Sequence, residues 1–184
     1  MRFSLFLITI IALAGCAVLW ADPINNQSLA SQTIIDNTQT PHVHHYAVAI
    51  TKDKETHNFI LRLEKTPIQI SAVGIGPLGE PLFSCMITRD VPKPACDTID
   101  PELQAERFTN DVLAVISPSG DLKTSLHASY HLEQNENKRS IFYNEKPIIT
   151  ILYKAENSFQ GATFKHHIYK YIIDMSLLSV EDLK

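Results

Sequence analysis

Apolar and polar positions alternate along most of the chain from His45 onward. Tyr46, Val48 and Ile50 are set against Ala47, Ala49 and Thr51, and Phe59, Leu61 and Leu63 against Ile60, Arg62 and Glu64. Ile68, Ile70 and Ala72 continue the period of two after Pro67, the mark of half-buried strands. Gly74-Ile-Gly-Pro-Leu-Gly-Glu-Pro81 interrupts it with three glycines and two prolines. Such a stretch predicts a turn, after which Leu82 to Thr88 resumes as a strand.

The period changes in the middle. Asp100-Pro101-Glu102 places a capping carboxylate, a proline and a second acid in order, which predicts a helix start. Leu103, Phe108, Val112, Val115 and Ile116 share one broad helical face, with an interruption expected near Thr109-Asn110. Ser117-Pro118 opens a short second helix around Leu122 and Leu126. Strands return at Ser129 to Leu132, Ser140 to Tyr143, Ile148 to Tyr153, Thr163 to His167 and Tyr169 to Met175. Strands, helical insert, strands: the order predicts an α+β domain on a mostly antiparallel sheet, with the helices as its cover.

The first fifteen residues follow a different rule. One positive charge at Arg2 precedes an almost unbroken apolar run from Phe3 to Gly15, which suits a signal h-region and is short of the ~20 residues that cross a bilayer. Leu13-Ala14-Gly15-Cys16 ends the run and resembles the lipobox of bacterial lipoproteins. Residues 1–15 are therefore expected to be removed and Cys16 to carry lipid. Two other readings stand beside this one: ordinary cleavage after Ala21, and an uncleaved anchor extending to Ala21. All three place the remainder outside the cytoplasm. Residues 16–41 are rich in Asn, Gln, Ser and Thr without a sustained period. They read as a tether to one domain at 42–184.

Composition narrows the partners. The formal net charge is −4, one unit more negative without Arg2, and no basic cluster exceeds Lys138-Arg139. Nothing here tracks phosphates, so nucleic acid is not an expected partner. Membrane attachment would come from the lipid rather than from charge. With Cys16 acylated, Cys85 and Cys96 form an even pair in an oxidising compartment, which predicts a disulfide; two free thiols are the alternative. Closing a loop of about 12 residues contributes about 3 kcal/mol in the chain-entropy account.

At Gly76-Pro77-Leu78-Gly79-Glu80-Pro81-Leu82-Phe83 the sequence resembles two related groups. One is a family of outer-membrane lipoproteins of unassigned function. The other is the LolB family of outer-membrane lipoprotein receptors, with its periplasmic relative LolA. The likeness continues through Leu113 to Pro118, Leu122 to Leu126, Ile148 to Tyr153 and Tyr169 to Met175. It implies a half-open antiparallel β-barrel, covered by a short helical insert, with a cavity for acyl chains. By position, Leu78 matches the leucine that protrudes from the LolB turn and helps put cargo into the membrane. Two departures leave the cargo open: the cysteine pair around the next loop, and a middle segment without the aromatic residues common in the unassigned family.

From these residues the sequence predicts an apolar cavity at Phe59, Leu61, Leu63, Ile68 and Ile70, and a membrane or partner role for Leu78. The expected function is a lipid-anchored, monomeric protein at the periplasmic face of the outer membrane. It would bind an acyl chain or similar apolar ligand and assist lipid or lipoprotein transfer. The alternative is an interaction lipoprotein of the same fold without cargo, with the cavity filled by Phe59, Phe83, Phe164 and Tyr171. Ala17 points outward, since aspartate there marks inner-membrane retention in enterobacterial sorting.

Eight histidines are present, chiefly His42-Val-His44-His45 and His166-His167, with His127 and His131 at helical spacing. The spacings do not bring four ligands into tetrahedral reach, so no metal and no cofactor is expected. A glycine-framed serine elbow, a phosphate-cradling glycine loop and HExxH are lacking. Glu133, Glu136 and Glu145 fall in polar loops, and an enzyme is not expected.

Overall fold

The computed structural model describes residues 40–91, 94–99, 103–126, 129–155 and 160–183. Residues 1–15, expected as a signal segment, Cys16 and most of the expected tether lie outside the described residues, as do Asp100-Pro101-Glu102 and His127.

Ten strands are described: β1 (His42–Lys52), β2 (Glu55–Lys65), β3 (Gln69–Ile75), β4 (Pro81–Thr88), β5 (Ala95–Thr98), β6 (Tyr130–Asn135), β7 (Lys138–Tyr143), β8 (Lys146–Tyr153), β9 (Gly161–His166) and β10 (Tyr171–Asp182). They form one open sheet in the order β5-β4-β3-β2-β1-β10-β9-β8-β7-β6. The chain thus makes two five-stranded meanders, and their seam is the long antiparallel pairing of β1 with β10. Between β5 and β6 lie two helices, α1 (Ala105–Ile116) and α2 (Ser119–Ser125).

Local chemistry sets the hairpins. Asp53 and Lys54 both have positive φ, as do Asn144 and Glu145. That is the two-residue turn whose twist matches antiparallel strands. It fixes Lys52 opposite Glu55 and Tyr143 opposite Lys146.

One face of every long strand is buried around α1. Tyr46 and Val48, Phe59, Leu61 and Leu63, Ile70, Phe83 and Ile87 come from one meander. Ile141, Ile149, Ile151, Phe164, Ile173 and Met175 come from the other. The helix touches β4 and β5 on one side and β9 on the other. Because both halves pack on it, the sheet wraps the helix instead of lying flat beneath it. The α+β, mostly antiparallel open sheet with a helical insert is therefore the architecture observed.

Three details differ from the sequence pattern. First, α1 runs unbroken through Thr109-Asn110, and Thr109, Asp111 and Ala114 are buried along with Phe108, Val112, Leu113 and Val115. Thr109 and Asp111 are polar residues taken into the core, so the sequence pattern read a break where the helix continues. Second, β5 is a strand that the alternation did not announce, and it holds Cys96 directly opposite Cys85. Third, β10 extends to Asp182, carrying the exposed Leu178 and Val180.

Candidate functional site

A cleft of about 440 Å³ opens at the end of the sheet where β1 turns into β2. Ligand pockets commonly span about 300–1,000 Å³. Its floor is Ile50 from β1, Leu103 and Phe108 from the helical insert, and Tyr171 and Ile173 from β10. Gln104, Arg107 and Tyr169 make one wall, and Lys52, Asp53, Glu55 and His57 make the mouth. The floor is therefore mostly apolar, and the wall and rim carry polar and charged groups.

The walls are held by polar contacts. The hydroxyl of Tyr171 donates to the carboxylate of Asp111, which fastens the middle of α1 to β10. Arg107 stacks with its guanidinium carbon 3.7 Å from the centre of the Tyr169 ring. One of its terminal nitrogens donates to the side-chain oxygen of Gln104. Behind this wall His166 is buried, with its Nδ1 accepting from the Tyr169 amide at 3.4 Å. Burial first, then the positive charges of Arg107 and His167, lower the His166 pKa to about 4, so its imidazole is neutral near pH 7.

The cleft is not where the sequence pattern placed a cavity. Phe59, Leu61, Leu63 and Ile70 are core residues, each at most 5 % exposed, and none lines this cleft. Phe59, Phe83 and Phe108 meet edge to face with centroids 5.4 to 5.8 Å apart and fill the space beneath the helix. Phe164 and Tyr171 stack at 6.2 Å. Ile68 precedes β3 in the turn and is 66 % exposed, because the strand's inward alternation begins only at Ile70. Period-two patterning tells which residues face inward; it does not tell which inward residues leave a space between them.

Leu78 stands at the tip of the β3–β4 turn, 94 % exposed. The turn is closed by Gly79 N–H to the Gly76 carbonyl at 3.0 Å and by Gly76 N–H to the Glu80 carbonyl at 2.8 Å. The Leu78 amide donates to the Glu80 carboxylate at 3.0 Å. Gly79 takes a φ of 83°, and a Cβ on Gly76 would collide with the Glu80 carboxylate. Pairing of Lys52 with Tyr171 and of Ile60 with Ile75 puts this turn and the cleft at the same end of the sheet. Alongside the turn, a shallow groove on the outer face runs over Ala47, Ala49, Ile60, Ile75 and Pro77.

Cys85 and Cys96 are joined, with Cα atoms 4.1 Å apart. The bridge ties the edge strand β5, and hence one wall of α1, to β4. Histidine geometry is dispersed. His42 and His44 lie within β1, His131 is exposed beside Glu133 on β6, and His167 meets the Thr150 hydroxyl at 3.0 Å. Among the described residues no three His, Cys, Asp or Glu side chains are grouped to hold a metal ion. No helix among them is long and apolar enough to cross a membrane.

Fold and cleft together define an antiparallel sheet wrapped on a short helix, with ligand-sized space at one end. The chain belongs to the family described as "Protein of unknown function (DUF3261)", which matches residues 44–179. No curated protein matches it. Among the solved structures to which the chain is similar, at low identity, are three. A LolA superfamily protein from Nitrosomonas europaea is 10 % identical, with 88 % of this chain and 95 % of that chain covered and a TM-score of 0.44. A DUF1329 family protein from Desulfovibrio piger is 7 % identical, with 88 % and 93 % covered and a TM-score of 0.45. A domain described as a candidate outer membrane lipoprotein-sorting protein from Vibrio parahaemolyticus is 6 % identical, with 86 % and 92 % covered and a TM-score of 0.44.

Proposed function

We propose that this protein is a lipoprotein anchored through Cys16 at the periplasmic face of the outer membrane, where its domain binds an acyl chain or similar apolar ligand and assists lipid or lipoprotein transfer. The observation that carries the reading is the end cleft, whose apolar floor opens through a charged mouth at the same end of the sheet as the exposed Leu78. An amphiphile would bury its chain against Ile50, Leu103, Phe108 and Ile173 and keep its head at the rim. Leu78, on a turn pinned by Glu80, is placed to enter a bilayer or a partner at the same end. No residue is assigned a catalytic role, and the domain acts as a monomer. Native mass spectrometry of the protein purified from cells tests the reading: a co-purifying amphiphile of one mass class is expected, and ligand-free protein throughout would count against it.

A second reading is favoured by a specific observation, the aromatic filling beneath α1. With Phe59, Phe83, Phe108 and Phe164 closing the interior, the domain would dock a partner through the Leu78 turn and the outer groove, without cargo. The ligand-free outcome would leave this reading in place.

A further inference from the structure

We infer that the cleft selects amphiphiles whose acyl or alkyl chain ends in an anion, a carboxylate or a phosphate, and that Arg107 is the residue that reads it. The inference rests on the cleft being a ligand site and adds the class of head group.

Arg107 is partly buried in the cleft wall, and its contacts leave its charge unanswered. Tyr169 covers one face of the guanidinium, and Gln104, a neutral amide, takes one terminal nitrogen. The Nε is buried and meets no acceptor. Among the described residues no carboxylate stands within ion-pair distance of it. A cation withdrawn from water without a counter-charge is costly, and a stacked ring offsets only part of that cost. The stack and the Gln104 contact fix the plane of the fork, so the remaining donors are pre-oriented for a planar or tetrahedral oxyanion.

Its surroundings add to the case. Arg107 lies four residues after Leu103 and next to Phe108 in the helical insert, and all three line the same cleft, so the cation adjoins the apolar floor. Arg107 sits in the first turn of α1, the positive end of the helix dipole, where Gln104 supplies no side-chain cap. His166, behind the wall, is neutral and contributes no competing cation. The groups of opposite sign are Glu106, exposed in the first turn of α1, Asp111, already engaged by Tyr171, and Asp53 and Glu55. These last two are exposed at the outer mouth beside Lys52, where solvent screens them.

The test uses residues 17–184, which contain every described strand and helix, exported behind a cleavable leader. Binding of fluorescent cis-parinaric acid is compared with binding of its neutral methyl ester. The wild type should favour the acid by about tenfold or more, the scale of one charge-assisted contact, and the preference should shrink with added salt. Arg107→Gln should bring the acid-to-ester ratio close to one, while Arg107→Lys should keep part of the preference; thermal melts check folding. Displacement by palmitate or by a palmitoyl lysophosphatidate then separates carboxylate from phosphate, and either being favoured supports the inference. Equal wild-type affinity for acid and ester would overturn the head-group inference and leave the cleft as an apolar site. A full acid preference in Arg107→Gln would likewise overturn the role of Arg107. Binding of neither probe would overturn the cleft reading itself.

Discussion

Arg139 and Tyr153 grip the same end of the same helix. The Arg139 guanidinium, buried on β7, donates to the carbonyls of Ala114 and Ser117 at 2.7 and 2.9 Å. The Tyr153 hydroxyl on β8 donates to the Val115 carbonyl at 2.9 Å, and the guanidinium carbon lies 5.4 Å from the Tyr153 ring centre. The last carbonyls of a helix have no partner within it, and a cation there also meets the negative end of the dipole. Two side chains from the second meander therefore finish a helix that begins beside the cleft.

Replacing Arg139 with Ala should destabilise the domain by about 2–4 kcal/mol, from two charge-assisted hydrogen bonds lost and two buried carbonyls left unmet. Arg139→Lys should recover only part of this, because lysine lacks the Nε–H that donates to the Gln134 side-chain oxygen at 3.0 Å and the planar group that faces the Tyr153 ring. Urea unfolding measures it; a change below about 0.5 kcal/mol, the surface range, would show that the contacts are incidental.

The Cys85–Cys96 bridge makes a separate prediction. Changing both to Ala should cost about 3 kcal/mol in the chain-entropy account. It should also free β5 from β4, raising amide exchange in Ala95–Thr98 ahead of the rest of the sheet. Unaltered stability under reducing conditions would contradict it.

Stability should fall on acidification in a definite window. His166 has a folded pKa of about 4, lowered chiefly by burial from an ordinary 6.5, and His44 behaves alike, with burial again the first cause. Below about pH 6.5 the unfolded chain takes up protons that the folded one refuses. Stability is therefore greatest above that pH and declines toward pH 4, where the folded histidines begin to titrate. His166→Gln should flatten the slope of stability against pH between these limits, by at most about 1.4 kcal/mol per pH unit. An unchanged slope would place the proton uptake elsewhere.

The two meanders were legible because alternation survives wherever one face of a strand is covered, as at Tyr46-Val48 and Phe59-Leu61-Leu63. β5 was not, since Ala95-Cys-Asp-Thr98 is short and only Cys96 turns inward. The cleft was hidden for a different reason. Its floor comes from Ile50, Phe108 and Ile173, which are far apart in the chain, and its key cation, Arg107, reads in the sequence as one more polar residue at the start of a helix. Leu78 stood out because a leucine between Pro77 and Gly79 has no route into its own core. Ile68 misled because it shares the parity of Ile70 while lying outside the strand.

Leu78→Glu should leave folding within about 0.5 kcal/mol of wild type, as expected for an exposed turn residue. Transfer of a bound fluorescent fatty acid to liposomes should slow, because a carboxylate enters hydrocarbon at high cost. Equal transfer rates would show that Leu78 is an ordinary surface residue.

The most direct test of the account is a methyl NMR titration of residues 17–184 with palmitate. Binding in the end cleft predicts shifts at Ile50, Leu103 and Ile173, with Leu61, Leu63 and Ile70 unmoved in the packed core. Shifts confined to Leu61, Leu63 and Ile70, or no shifts at any methyl, would contradict it.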